Sequence, residues 1–186
     1  GRIAGFRIDQ FGLGDAEGPV HITAEGLSWD NARLHTASGW AEGTGGISFG
    51  RGSHMRLRGR VHGVEFAEAL EQLGLTDAHG VWKADGDFQL EGPLAPVLLA
   101  GSFDFHAREF RVLLDRFRNR EAPTFFAIAE GRARGQVTFT DRSVRLHGVT
   151  LATGDSVATG DAMLGYGDRF EIHARSPDLH LADFGP

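Results

Sequence analysis

The sequence predicts an all-β chain, an elongated antiparallel sheet curled into a U-shaped groove or folded into a sandwich, with one short helix. Three observations point there. Apolar and polar residues alternate with period two along most of the chain, as half-buried strands require. Clusters rich in Gly, 27 of 186 residues against six Pro, break these runs at hairpin spacing. Helical periodicity, by contrast, covers only about three turns.

The runs begin with Val20, Ile22 and Ala24, which alternate with His21, Thr23 and Glu25. Trp82, Ala84, Gly86, Phe88 and Leu90 alternate with Lys83, Asp85, Asp87 and Gln89. Val97, Leu99, Gly101, Phe103 and Phe105 form the next apolar face. Ala133, Gly135, Val137 and Phe139 then oppose Arg132, Arg134, Gln136 and Thr138, and Phe170, Ile172 and Ala174 close the series. One apolar and one wet face per strand is the mark of an antiparallel meander. Between the runs, Asp15-Ala16-Glu17-Gly18, Gly43-Thr44-Gly45-Gly46, Gly50-Arg51-Gly52 and Gly165-Tyr166-Gly167-Asp168 read as turns. The spacing predicts a helix over Val64–Leu73, where Phe66, Leu70 and Leu73 share a face opposite Glu65, Glu68 and Glu71, and Gly74 stops it. A second short helix is placed at Val112–Phe117, before an Arg-rich loop.

This inventory sets a physical problem. About a dozen strands each offer an apolar face, and one short helix cannot cover them. The sheet must become a sandwich, a closed barrel or a long trough. Gly52, Met55, Leu57 and Arg60 match Gly167, Phe170, Ile172 and Arg175 at one constant offset. The chain 1–186 therefore reads as one β-rich segment of a longer repeat-built protein, with internal modules at 1–75 and 76–186.

Net charge is −6, so a nucleic-acid partner is not expected. With no Cys, disulfides, thiolate metal sites and a Cys nucleophile are excluded. The sequence contains no signal peptide and no apolar run of spanning length. Both ends look cut, and a membrane anchor is expected outside the segment.

Several motifs touch on chemistry, and each has a structural reading. Gly154-Asp155-Ser156 resembles the nucleophile block of GDSL-type esterases, but the following Asp178-Leu179-His180 is strand-like and a turn is expected. Gly12-Leu13-Gly14 and Gly43-Thr44-Gly45-Gly46 lack the helix that a phosphate loop needs and read as hairpin turns. Glu171, His173 and His180 would make a surface metal site only if they converged, and isolated histidines are the better reading. Arg108, Arg111, Arg116, Arg118 and Arg120, interleaved with Phe110, Leu113, Leu114 and Phe117, suit anionic headgroups or an acidic partner, with a solvated loop as the preferred reading. No catalytic residue, metal ligand or cofactor is expected.

The stretch Leu90-Glu91-Gly92-Pro93-Leu94-Ala95-Pro96-Val97-Leu98-Leu99-Ala100-Gly101 joins two alternating strands through a Leu-x-Gly-x-Leu-x-Pro … Gly element. It resembles the repeat of the AsmA/TamB-like proteins of the Gram-negative envelope. Ala174-Arg175-Ser176-Pro177-Asp178-Leu179-His180-Leu181-Ala182-Asp183-Phe184 is similar to that family's Asp-Leu-x-Leu strand ending. The run from Pro96 to Gly101 is one residue longer than the family spacing. The resemblance implies a periplasmic β-groove, anchored to the inner membrane, that shields phospholipid acyl chains between the two membranes. In one branch it implies an outer-membrane barrel protein as partner. On this reading the lipid-binding residues are the inward ones: Val20, Ile22, Leu34, Leu57, Phe88, Leu90, Leu99, Phe103, Phe105, Val137, Phe139, Leu146, Phe170 and Ile172. The alternatives are a β-rich interaction scaffold assisting outer-membrane protein assembly or envelope integrity and, remotely, a GDSL-like esterase.

Overall fold

The structure is a computed structural model that describes residues 2–8, 11–36, 38–50, 52–67, 80–113, 123–165, 169–178, 180 and 183. For 2–8, 11–14, 80, 112, 125–126 and 169–170 it describes the backbone alone. The strands are β1 (Arg2–Ile8), β2 (Phe11–Glu17), β3 (Val20–Ile22), β4 (Gly26–His35), β5 (Trp40–Ser48) and β6 (His54–Glu65). They continue with β7 (Gly80–Pro93), β8 (Leu98–Leu113), β9 (Thr124–Thr140), β10 (Ser143–Thr153), β11 (Ser156–Gly165) and β12 (Arg169–Asp178).

The strands form one antiparallel sheet in the order β1-β2-β4-β5-β6-β7-β8-β9-β10-β11-β12, with β3 paired to β4 off this path. The sheet does not close into a barrel. Apart from β3, each strand pairs with its neighbours in sequence, as short Gly-containing turns favour. The longest strands, β7 to β9, stand at the middle, and the sheet runs without a break from β6 to β7 through pairs such as Leu57↔Leu90.

Pairing across the sheet carries one row of apolar positions through ten strands. The row reads Val20, Trp29, Gly45, Leu57, Leu90, Gly101, Val137, Leu146, Ala162 and Ile172, each opposite the next. At about 4.8 Å per strand the row is roughly 43 Å long. Residues directly opposite each other share a face, so the alternation read from sequence becomes one continuous apolar surface.

Left-handed residues at register shifts bend the sheet: Asn31 in β4 (φ 49°), Gly63 in β6 (φ 61°), Glu109 in β8 (φ 55°) and Gly148 in β10 (φ 56°). Two of them are built alike. The Gly63 N–H donates to Asp85 Oδ1 at 3.0 Å, and the Gly148 N–H donates to Asp161 Oδ1 at 2.9 Å. In each case the carboxylate on the next strand satisfies the amide that the bulge removes from the ladder.

The structure corrects several expected elements. Val64 and Glu65 continue β6, paired with Ala84 and Lys83, because a partner strand satisfies their backbone. Only Phe66 and Ala67 are helical, and 68–73 lie outside the described residues. Val112 and Leu113 end β8 rather than opening a helix, and 114–117 also lie outside. Gly43-Thr44-Gly45-Gly46 is not a turn but the middle of β5, held on both sides by β4 and β6. Gly12-Leu13-Gly14 and Asp15-Ala16-Glu17 are likewise strand, in β2. The expected turn at 165–168 begins at the last residue of β11, and 166–168 lie outside the described residues.

Candidate functional site

The apolar face is thinly covered. The folded chain exposes 11162 Å², whereas a compact chain of 20.1 kDa exposes about 8,700 Å². No large side chain is fully buried among the described residues. Packing is densest at one end of the central strands. There Phe66 stacks on Trp82 with ring centroids 4.8 Å apart, Phe105 meets Phe66 edge-on at 5.7 Å, and Phe110 lies 5.3 Å from Trp82. Beneath these rings run the small residues Val64, Ala84, Ala107 and Gly131, paired strand to strand, with Ala84 wholly buried. Val137 and Val144 form a buried cluster continuous with this packing: Phe66 and Trp82 pack against it, as do Leu90, Phe103, Phe139, Leu146 and Leu164.

Elsewhere the face is paved rather than studded. Large rings lie over glycines on the neighbouring strand. A Cβ on Gly45 would fall 2.5 Å from the Trp29 ring, one on Gly59 would fall 3.1 Å from the Phe88 ring, and one on Gly86 would fall 2.9 Å from the Phe105 ring. A ring laid flat on a glycine gives a low, smooth floor, so apolar area is presented without filling the space above it.

Of the fourteen residues expected from sequence, register places the thirteen whose side chains are described on this same side of the sheet. Leu99 and Val137 are buried; Val20, Leu34, Leu57, Phe88, Leu90, Phe103, Phe105, Phe139 and Leu146 are half-buried. Ile22 and Ile172, at the flanks, are exposed, at 73% and 55%. Phe170 lies outside the residues whose side chains are described. Trp29, Trp82, Phe66 and Phe110 also line this side and were not singled out. The period-two pattern around Trp29 is broken by the bulge at Asn31 and hides its face.

The opposite face is a charge ladder. One cross-strand row reads Glu17, Arg33, Glu42, Arg60, Asp87, Asp104 and Arg134. Arg60 donates to both Asp87 oxygens at 2.9 and 2.8 Å, and Arg132 donates to both Asp104 oxygens at 2.7 and 2.6 Å. Arg56 meets Glu91 at 2.9 Å, Lys83 meets Glu109 at 3.0 Å, and Arg108 pairs with Asp85. The hydrogen bonds from Arg60, Arg56 and Arg132 hold the carboxyls of Asp87, Glu91 and Asp104 below their usual range. An open cleft of about 670 Å³ lies on this polar side, among His21, Ser28, Thr44, His54, Arg56 and Arg58.

The esterase-like Ser156 is only 2% exposed. Its hydroxyl accepts the His180 N–H at 2.8 Å and faces the His180 carbonyl, so the backbone and not the imidazole of His180 meets it. Asp183 accepts the N–H groups of Asp155 and Ser156 at 3.0 and 2.9 Å and closes the β10–β11 turn. His173 meets Glu171 at 2.7 Å, but among the described residues no three potential metal ligands converge. Of the arginines, Arg111 lies exposed on β8, and Arg116, Arg118 and Arg120 lie outside the described residues. No described helix is long and apolar enough to cross a membrane.

No protein-family model matches the chain, and no curated protein or solved structure matches it either.

Proposed function

We propose that the chain is a non-enzymatic segment of a periplasmic lipid conduit, in which the apolar face shields acyl chains between inner and outer membrane. The observation that carries this reading is the apolar row through ten strands, with too little helix among the described residues to cover it as an ordinary core. Each CH₂ drawn through water costs about 0.8 kcal/mol, so a chain of about sixteen carbons faces a barrier on the order of 12 kcal/mol. A continuous apolar floor removes most of that barrier with no reactive group. The paved rings and glycines offer contact all along the row without a deep specific pocket, which suits a moving tail better than a resident one. The periplasmic setting, the inner-membrane anchor outside the segment and the phospholipid cargo rest on the resemblance to AsmA/TamB-like repeats.

Photo-crosslinking tests the reading. A photoreactive residue at Phe103 or Phe139, on the apolar face, is expected to capture phospholipid in cells. One at Asp104 or Thr138, on the polar face, is expected to capture none. Equal labelling at all four positions overturns the assignment.

A further inference from the structure

We propose that the polar-face cleft across β3 to β6 is a binding site for a phosphate ester. It lies on the side of the sheet opposite the apolar row, so it goes beyond the lipid reading and does not rest on it. Register builds the cleft. His21, Ser28, Gly46 and Arg56 stand opposite one another on four adjacent strands, and Thr44 stands opposite Arg58 at the next outward position. Glycine at 46, beside the short hydroxyl side chains of Ser28, Thr44 and Ser48, leaves a low floor between His21 and the long side chains of β6. A Cβ on Gly46 would come 3.6 Å from the Cβ of Ser28, so the missing side chain opens the floor at its centre.

The chemistry of the lining selects the ligand. On this face Arg60, Arg132 and Arg56 are each matched by a carboxylate on the next strand. Arg58 is not. Its cross-strand neighbours are Thr44 and Gln89, Gln89 donates to Ser102, and the diagonal Asp87 has both oxygens on Arg60. His21, Ser28 and Thr44 are exposed like Arg58, and among the described residues none of the four side chains makes a hydrogen bond or an ion pair. Four adjacent strands thus each bring one unengaged donor to the same cleft, and Glu25 is the one acid among its described lining residues. A guanidinium with hydroxyl and imidazole donors around it suits an anion whose oxygens point several ways. A phosphate ester holds its oxygens in a tetrahedron, whereas a carboxylate holds its pair in one plane. The volume of about 670 Å³ leaves room for the organic part of the ester. A soluble phosphate ester and the phosphate of a lipid headgroup share this chemistry.

Isothermal titration calorimetry of the chain with glycerol phosphate, beside sedimentation with phosphatidylglycerol vesicles, tests this. Saturable binding at one site is expected. Arg58→Gln should weaken it about tenfold or more. Arg145→Gln, at an exposed arginine on the same face of β10, should leave it unchanged. Thr44→Glu sets a carboxylate opposite Arg58, as on the neighbouring rungs, and should abolish binding. All three positions are exposed, so circular dichroism should stay as in the native chain. Capture on the vesicles that Arg58→Gln abolishes assigns a lipid headgroup. Binding of glycerol phosphate, with vesicle capture absent or indifferent to Arg58→Gln, assigns a soluble ester. The proposal is overturned if neither probe binds in a way that depends on Arg58, or if Arg145→Gln weakens binding as much as Arg58→Gln does.

Discussion

Single glycines decide how the apolar face is built, and their roles separate by geometry. Gly148 and Gly63 have positive φ, and a Cβ at either would meet nothing within 4 Å. Replacing either by Ala costs only the left-handed backbone, about 1 kcal/mol. Gly86 also has positive φ (152°), but its Cβ would fall 2.1 Å from the Asp104 carbonyl oxygen and 2.9 Å from the Phe105 ring. Gly86→Ala should therefore cost several times more than Gly148→Ala in urea unfolding; equal losses would mean that close packing over Gly86 is not what sets its cost. The alternation around Gly86 was legible in sequence, and its inward face followed. Its contact with Phe105 was not, because that depends on a partner strand's register. The triple-glycine stretch 43–46 reads locally as a turn, yet β4 and β6 satisfy its backbone and the Trp29 ring occupies the space over Gly45.

At the level of elements, the two Gly bulges share a sequence signal that period-two counting passes over. Val61-His62-Gly63-Val64 and Leu146-His147-Gly148-Val149 are the same four-residue pattern, each followed one strand later by an Asp that holds the bulge amide. A bulge shifts the phase of alternation, and so the helix expected from Val64 onward starts instead as the far side of a strand. Asp161→Ala should free the Gly148 amide and raise its hydrogen exchange well above that of the flanking β10 amides, with the rest of the sheet still protected. The polar face makes a different prediction. Asp87, Glu91 and Asp104 hold their protons less readily when folded than when unfolded. Their contribution is complete above about pH 4, where the unfolded carboxyls have ionised, and is lost as pH falls through their lower folded values. The chain should therefore lose stability on acidification below about pH 4, and less of that loss should remain in about 1 M salt, which screens exposed pairs. A melting temperature flat between pH 5 and pH 3 would contradict this.

For the whole molecule, the excess of apolar strand faces over helix predicted an uncovered face, and composition and alternation together made that legible. Whether the sheet closed was not legible, since curvature comes from the bulges and from paired lengths of strand. The open form changes what a charge does. At half-buried Leu57, a substitution such as Leu57→Asp leaves the new carboxylate access to water above the floor. Secondary structure should be retained, while lipid capture at Phe103 falls. The same charge at Val137, buried between Leu146 and Gly101, should instead unfold the chain. Melting curves on the two variants beside the crosslinking assay separate these outcomes; a Leu57→Asp chain that melts like Val137→Asp would mean a closed core.

Because nearly every strand pairs only with its neighbours in sequence, the molecule is also a ruler. Each added hairpin lengthens the sheet by about 9.6 Å and returns the chain to the same direction with the same face inward. Reach is then set by counting hairpins, and duplication or loss of one alters length without disturbing the lining elsewhere. Such local pairing also lets folding start at any hairpin and spread outward, so a longer version would meet no higher entropic barrier than a short one.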